Sequence, residues 1–143
     1  MLVSSILREK GHQILAIAPE VTLLETARVL AANRINALFV LTGRESLAGI
    51  ISGRDILMAL AEDGPGALGL PVAARMTTDV ATCEASDTVE EVIEMMTRCR
   101  FGHMPVVSDG RVVGVISTSD VFNSWMAETN REAQALKDYI ATG

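Results

Sequence analysis

Two segments of the chain place a serine three residues before an aspartate, as Ser52 with Asp55 and as Ser117 with Asp120. A carboxylate has two acceptor oxygens and can accept both hydroxyl protons of a ribose cis-diol. A serine hydroxyl beside the free main-chain N–H groups of a helix start forms a natural phosphate site. Serine and aspartate before an apolar run are also ordinary helix caps, so a single copy alone favours the capping role.

Neighbouring polar residues could extend either site. Ser119 adds a hydroxyl to the second segment, and Arg54 places a positive charge at the corresponding position of the first. The two sites would then differ in charge. Arg34 and Arg100 end predicted helices, where a cation also interacts favourably with the helix dipole, so a structural role stays open for both.

Both segments belong to an internal repeat. Residues 49–55 read GIISGRD, and residues 114–120 read GVISTSD. Upstream of them, Thr22 and Thr88 each begin a Thr-x-x-Glu capping box that opens an apolar helical run. Ordered matches through a helix start, a strand and a loop favour a duplication of about 65 residues.

Hydrophobic spacing and turn residues predict the order strand, helix, strand, strand, helix in both halves. The predicted elements are strand 14–17, helix 22–33, strands 38–41 and 47–51, helix 55–62, then strand 80–83, helix 88–98, strands 104–107 and 112–116, and a helix from 120. The predicted domains are a first repeat with an N-terminal helix (1–66), a linker (67–78), a second repeat (79–126) and a C-terminal helix with an apolar stripe (127–143).

Composition limits the classes of partner and location. The chain has 143 residues, 49% of them hydrophobic, and a net charge of −6, which argues against DNA or RNA as a partner. No apolar run approaches the ~18 residues of a membrane span, and the first residues lack the early positive charge of a signal peptide. A soluble cytoplasmic protein is therefore expected. Cys83 and Cys99 have no metal-type spacing and are interpreted as free thiols.

The repeat order, the Gly-φ-φ-Ser-x-x-Asp endings and residues 100–107 (RFGHMPVV) resemble a pair of cystathionine-beta-synthase (CBS) domains, known as a Bateman module. The resemblance covers about residues 10–126 and is greatest to small stand-alone bacterial proteins. It implies a mixed α/β (α+β) fold of two βαββα repeats with pseudo-twofold symmetry. It also implies interrepeat clefts that bind adenosine-containing ligands: AMP, ADP, ATP, S-adenosylmethionine or NAD(H).

The resemblance also implies roles for individual residues. Asp120 and Asp55 would bind ribose. His103 would face the cleft, although a lone histidine is more often structural. The candidates for phosphate contact are Ser117, Ser119, Ser52, Arg54, His103 and Arg100, and those for the adenine pocket are Thr82, Met104, Pro105, Asn36, Ala37 and Leu38.

The chain departs from the family pattern in a few places. Asn36 and Phe39 stand where relatives usually have smaller residues, and their bulk could narrow the first adenine pocket. Gly53 and Gly102 replace residues that are often charged in relatives. Ligands rich in phosphate therefore become less favoured.

The leading hypothesis is a regulatory module, such as an energy sensor, that binds AMP or ATP and changes its conformation or its binding of an unidentified protein. The alternative is a ligand-free scaffold that acts through homodimerisation. Cys99 and His103 lack a third orienting group, so neither an enzyme nor a required cofactor is expected. The two histidines and scattered carboxylates make no metal site of recognisable spacing.

Overall fold

The computed structural model describes residues 1–99 and 102–142 and has the predicted mixed α/β architecture. One sheet has three strands: Ala16–Ile17 pairs in parallel with Ala37–Thr42, which pairs antiparallel with Ser46–Ser52. The strands His103–Ser108 and Arg111–Ser117 form a second sheet. The elements are α1 (Val3–Lys10), β1 (Ala16–Ile17), α2 (Leu23–Asn33), β2 (Ala37–Thr42), β3 (Ser46–Ser52), α3 (Gly53–Asp63), two 3₁₀ turns (Pro65–Gly69 and Val72–Ala74), α4 (Val89–Cys99), β4 (His103–Ser108), β5 (Arg111–Ser117) and α5 (Thr118–Thr142).

The chain divides into two compact units, each built around one repeat. The first-repeat unit comprises residues 14–80 with 109–112, and the second-repeat unit comprises residues 1–13, 81–108 and the chain from 113. Helix starts are capped as predicted, since the Thr22 hydroxyl accepts from the Glu25 N–H at 3.2 Å. The largest fully buried side chains of the two cores are, in the first, Leu23, Leu38, Val40, Ile51 and Val72, and in the second, Val3, Val89, Val92, Met104, Val106 and Ile116.

In the first-repeat unit, the segment after α3 packs on the repeat that precedes it. The N–H of Leu23 donates to the carbonyl of Leu70 at 2.9 Å, and the N–H of Val72 donates to the carbonyl of Val21 at 2.8 Å. Farther along the segment, Ile50 and Thr77 exchange two main-chain hydrogen bonds of 2.9 Å. Residues 70–77 are therefore an integral part of this unit.

In the second-repeat unit, the start of the chain takes the equivalent place. The N–H of Val89 donates to the carbonyl of Met1 at 3.0 Å, and the N–H of Val3 donates to the carbonyl of Asp87 at 2.9 Å. Each bond has a counterpart in the first-repeat unit. Each repeat is thus completed by the segment that precedes the other repeat in the chain.

The glycine that opens each repeated motif lies where this segment packs. A Cβ atom on Gly49 would lie 2.6 Å from the carbonyl oxygen of Thr77, and one on Gly114 would lie 2.6 Å from a methyl group of Leu7. Real Cβ atoms do not approach other atoms so closely. Close approach of the segment therefore explains why the motif has glycine at this position.

The structure differs from the predicted boundaries in four ways. Helix α1, placed with the first repeat in the prediction, packs with the second, and residues 67–78 pack with the first repeat instead of only linking the two. The predicted strand 80–83 is reduced to one parallel bridge, between Cys83 and Val106. The helix from 120 and the C-terminal helix are one continuous helix, α5. No helix in the described residues is both long enough and apolar enough to span a bilayer.

The close approach at Gly49 predicts a large effect of a small substitution. Gly49→Ala should lower the free energy of unfolding by about 1–3 kcal/mol, because main-chain atoms of Thr77 must move to admit the methyl group. Gly53→Ala is the matched control, since a Cβ atom there meets nothing within 4 Å. Urea denaturation measures both, and equal stability of the two variants would contradict the packing explanation.

Candidate functional site

The first candidate site is the start of α3, where Ser52 and Asp55 form a reciprocal capping box. The Asp55 N–H donates to the Ser52 hydroxyl at 3.2 Å. The Asp55 carboxylate accepts from the Ser52 N–H and from the Ser52 hydroxyl through the same oxygen, Oδ2, each at 2.9 Å. The box holds the carboxylate at the helix start in one orientation.

The start of α5 repeats this arrangement and adds a cation. The Ser117 N–H donates to Asp120 Oδ2 at 2.9 Å, and the Asp120 N–H donates to the Ser117 hydroxyl at 3.1 Å. The ammonium of Lys10, at the end of α1, also donates to Asp120 Oδ2, at 2.6 Å. The described hydrogen bonds to these two carboxylates all go to Oδ2, and none of them uses Oδ1 of Asp55 or Asp120.

Asp120 is ionised in this environment. Burial works against the charged form, but the hydrogen bonds from Lys10 and from the main chain and hydroxyl of Ser117 outweigh it and lower the pKa of Asp120 below its ordinary value. Side chains of Lys10 and Asp120 are 36% and 26% exposed, so water still screens the pair.

Each helix start is joined to the beginning of a strand. The N–H of Gly53 donates to the carbonyl of Asn36 at 2.9 Å, and the N–H of Thr118 donates to the carbonyl of Gly102, also at 2.9 Å. The Thr118 hydroxyl donates to the same Gly102 carbonyl at 3.1 Å. Each helix start therefore lies beside the beginning of the strand that carries candidate adenine residues, Ala37 and Leu38 in one unit and Met104 and Pro105 in the other.

The candidate adenine residues differ in exposure. Asn36 and Thr82 are exposed, Ala37 is half-buried and Pro105 is buried. Leu38 and Met104 are 1% and 0% exposed and lie in the two cores, so only their main-chain atoms could reach a ligand without repacking. The predicted adenine pocket stays a prediction.

The remaining polar candidates lie around the two helix starts. Ser119 and Arg54 are exposed at equivalent positions in the first turns of α5 and α3, and His103 is exposed at the start of β4. Arg100 lies outside the described residues. Phe39, expected to narrow the first pocket, is buried on the sheet face opposite Leu38, and its effect on a ligand is still untested.

Sequence reasoning missed Lys10. It lies 110 positions before Asp120, and the residues around it match no binding motif. Lys10 and Asp120 line a cavity of about 360 Å³ between α1 and α5, together with Met1, Ile6, Glu9, Asn123, Ser124, Ala127 and Arg131.

A second, more apolar groove of about 490 Å³ lies between α4 and α5. Phe122 and Trp125 of α5 stand 55% and 40% exposed at this groove. Their rings are 6.2 Å apart. The other lining residues are Ile93, Met96, Thr97, Gly102, Thr118 and Val121.

The described residues give little support for covalent or metal chemistry. Burial, with a smaller effect of Asp87, raises the pKa of the Cys83 thiol to about 12, so the nucleophilic thiolate is scarce at neutral pH. In residues 1–99 and 102–142, no group of three or more histidine, cysteine, aspartate or glutamate side chains could hold a metal ion.

Comparison with known proteins agrees with the repeat seen in sequence and structure. The CBS domain family matches residues 3–62 and 72–126. The chain belongs to the CBS domain family. The crystal structure of the CBS-domain protein ATU1752 from Agrobacterium tumefaciens is similar, with 34% identity and a TM-score of 0.77 over 87% of this chain and 98% of that one.

Other similar CBS-domain proteins differ in their bound molecules, their location and the share of their length that this chain matches. The CBS domain pair of protein MJ0100, crystallised with 5′-methylthioadenosine and S-adenosyl-L-methionine, is 27% identical and has a TM-score of 0.73 over 90% of this chain and 98% of that one. The mitochondrial protein CBSX3 of Arabidopsis thaliana is 28% identical over 99% of this chain and 72% of its own length. The chain matches only 22% of an inosine-5′-monophosphate dehydrogenase of Korarchaeum cryptofilum, at 33% identity.

The lowered pKa of Asp120 predicts a pH-dependent contribution to stability. Since the folded state favours the ionised form, this contribution is complete above about pH 4 and is lost as the pH falls through the lower pKa of the folded state. Asp120→Asn should therefore differ most from the wild type at neutral pH, with the Lys10 interaction accounting for up to about 1 kcal/mol. Urea denaturation from pH 2 to pH 7 measures the difference.

Lys10→Met supplies the control for this pH effect. In the Lys10→Met background, Asp120→Asn should change stability less at neutral pH, because one of the bonds that favours the carboxylate is already gone. The same pH-dependent difference with and without Lys10 would show that the ion pair contributes nothing.

Proposed function

We propose that this CBS-domain protein is a regulatory module that binds an adenosine-containing ligand through Asp55 and Asp120. The observation that carries the proposal is the duplicated helix start. In both copies a serine orients the carboxylate, and in the described hydrogen bonds one carboxylate oxygen stays available. A helix cap needs only the bonds already made, whereas a ribose cis-diol needs the remaining acceptor.

The surroundings of each carboxylate suit the rest of such a ligand. Free N–H groups and hydroxyls at a helix start favour anions. Ser119 is exposed there in the second copy, and Arg54 is exposed in the first. The neighbouring strand starts, at Asn36 and Gly102, lie within main-chain hydrogen-bond distance of the helix starts and could supply polar contacts to adenine.

A solved relative supports this class of ligand. The CBS domain pair of MJ0100 is 27% identical, and its complexes contain 5′-methylthioadenosine and S-adenosyl-L-methionine. We transfer from it only the adenosyl class. Binding would act by shifting the population of conformations that a partner protein recognises, and no turnover of the ligand is proposed.

Thermal denaturation with AMP, ADP, ATP, S-adenosylmethionine and NADH tests the proposal. A ligand at about 100 times its Kd should stabilise the protein by about 2.7 kcal/mol, which raises the Tm by several degrees. Asp120→Asn and Asp55→Asn keep an oxygen for the helix cap but lose the charge and one acceptor, so one or both should lose the shift.

Asp109→Asn is the matched control for these variants. Asp109 is exposed in the turn between β4 and β5 and has φ of 52°, a conformation that asparagine also tolerates. It should keep the full ligand shift. A shift that persists in both helix-start variants would rule out the ribose role, and no shift with any ligand would favour the scaffold described next.

A second candidate function is a homodimeric scaffold, favoured by an apolar stripe on α5. Phe122, Trp125, Leu136 and Ile140 repeat at helical spacing along one face and are exposed. Large exposed apolar residues in such a row are typical of interaction surfaces. We propose a second copy of the chain as the occupant, because pairing of two identical stripes would bury both.

Light scattering after size-exclusion chromatography tests the dimer. The wild type should show twice the 15.3 kDa mass of the chain. Leu136→Glu should shift the protein toward the monomer, because pairing would then bury an uncompensated charge. Asn130→Glu adds the same charge beside the stripe on the same helix and should stay dimeric. A monomeric wild type, or two dimeric variants, would contradict this interface.

A further inference from the structure

We propose that Lys10 makes the second site selective for adenosine ligands that carry a phosphate, over neutral or cationic ones. The inference rests on the proposed function, since it assumes that Asp120 binds a ribose. It adds to the proposed function the chemical class of the ligand and the residue that makes the site selective for it.

The position of the ammonium is well defined. Lys10 Nζ and the Ser117 N–H share one acceptor, Asp120 Oδ2, at 2.6 Å and 2.9 Å. Lys10 is the last residue of α1, whose apolar face is buried in the second-repeat unit. After α1, His12 Nδ1 lies 2.9 Å from the carbonyl oxygen of Val113. The cation is therefore held beside the helix start that would bind the ribose.

Ligand binding would disturb this ion pair. One hydroxyl of a cis-diol can donate to Oδ1 of Asp120, and the other then has to share Oδ2 with Lys10 or displace it. A neutral ligand offers the displaced ammonium no anion in return, and a cationic ligand adds a like charge. A phosphate on the 5′ carbon of the same ribose offers a new partner, and hydrogen bonds between charged groups are the stronger ones.

The charges around Lys10 agree with this role. Glu9 and Arg131 are the other charged residues in the described lining of the cavity that contains Lys10 and Asp120. The charges of Glu9 and Arg131 cancel. Lys10 is then the one cation that balances the Asp120 carboxylate among the described side chains that line the cavity. When Asp120 binds the diol, its carboxylate interacts less with the Lys10 ammonium. A phosphate on the ligand would then be the new anionic partner of Lys10.

The first site lacks this cation. Residues 70–77 occupy in the first-repeat unit the place that the start of the chain occupies in the second. The side chain of Met76 packs on Gly49, and that of Leu7 packs on Gly114 in the same way. The described hydrogen bonds of the Asp55 carboxylate come only from Ser52. Among the described hydrogen bonds, an ammonium bonded to the carboxylate is thus found at Asp120 and not at Asp55.

Calorimetric titration with AMP and with 5′-methylthioadenosine tests the inference, because the two ligands share adenine and ribose and differ in the 5′ group. The wild type should bind AMP more tightly. Lys10→Met should reduce the ratio of the two affinities by about tenfold, equivalent to about 1.4 kcal/mol. Lys10→Arg should keep most of the preference, since it keeps the charge.

Lys137→Met controls for the loss of one positive charge, because Lys137 is exposed farther along α5. It should keep the wild-type ratio. An unchanged ratio in Lys10→Met, an equal loss in Lys137→Met, or a wild type that prefers 5′-methylthioadenosine would each overturn the role of Lys10 and leave adenosyl binding intact. A wild type that binds neither ligand would reject the proposed function and this inference together.

Discussion

The docking of each repeat with the segment that precedes the other repeat is the constraint on which the rest of the structure depends. In the first-repeat unit, Leu70 and Val72 hydrogen-bond on either side of the helix start at Leu23, and in the second-repeat unit Met1 and Val3 do the same around Val89. A repeat of about 60 residues alone buries only about 60% of the surface of its unfolded chain and is marginally stable. Each repeat therefore gains core residues from outside itself, Val72 from the segment that follows the first repeat and Val3 from the distant start of the chain for the second.

Two features of the candidate sites follow from this docking. The segment presses against the strand that leads into each Ser-x-x-Asp helix start, so the strand carries glycine, at Gly49 and Gly114, where the contact is closest. The segment also brings its own side chains to the site. Because the second-repeat unit receives α1, it receives Lys10, which donates to Asp120 Oδ2, whereas the described hydrogen bonds of the Asp55 carboxylate come from Ser52. A duplicated motif has thus acquired two different electrostatic environments.

Local patterns made much of this fold predictable from sequence. The helix caps at Thr22, Ser52 and Ser117 form between residues three positions apart, so the residue types alone identify the helix starts. The placement of α1 and the Lys10–Asp120 pair depend on contacts between distant residues, which no local pattern contains. The prediction of a strand at 80–83 was wrong for the same reason, because strand pairing depends on distant residues. Among the described residues of this segment, Cys83 alone forms a bridge, to Val106 of β4.

Capping and ligand binding are compatible roles for the two aspartates. A flexible carboxylate loses side-chain freedom when it grips a ligand, and this loss weakens binding. In the capping box that loss has already occurred during folding, because Oδ2 is held by the serine. The acceptor left over is then oriented before any ligand arrives. The helix cap would therefore strengthen ribose binding by orienting the carboxylate in advance. The capping role and the ligand-binding role of the Ser-x-x-Asp motif are thus compatible.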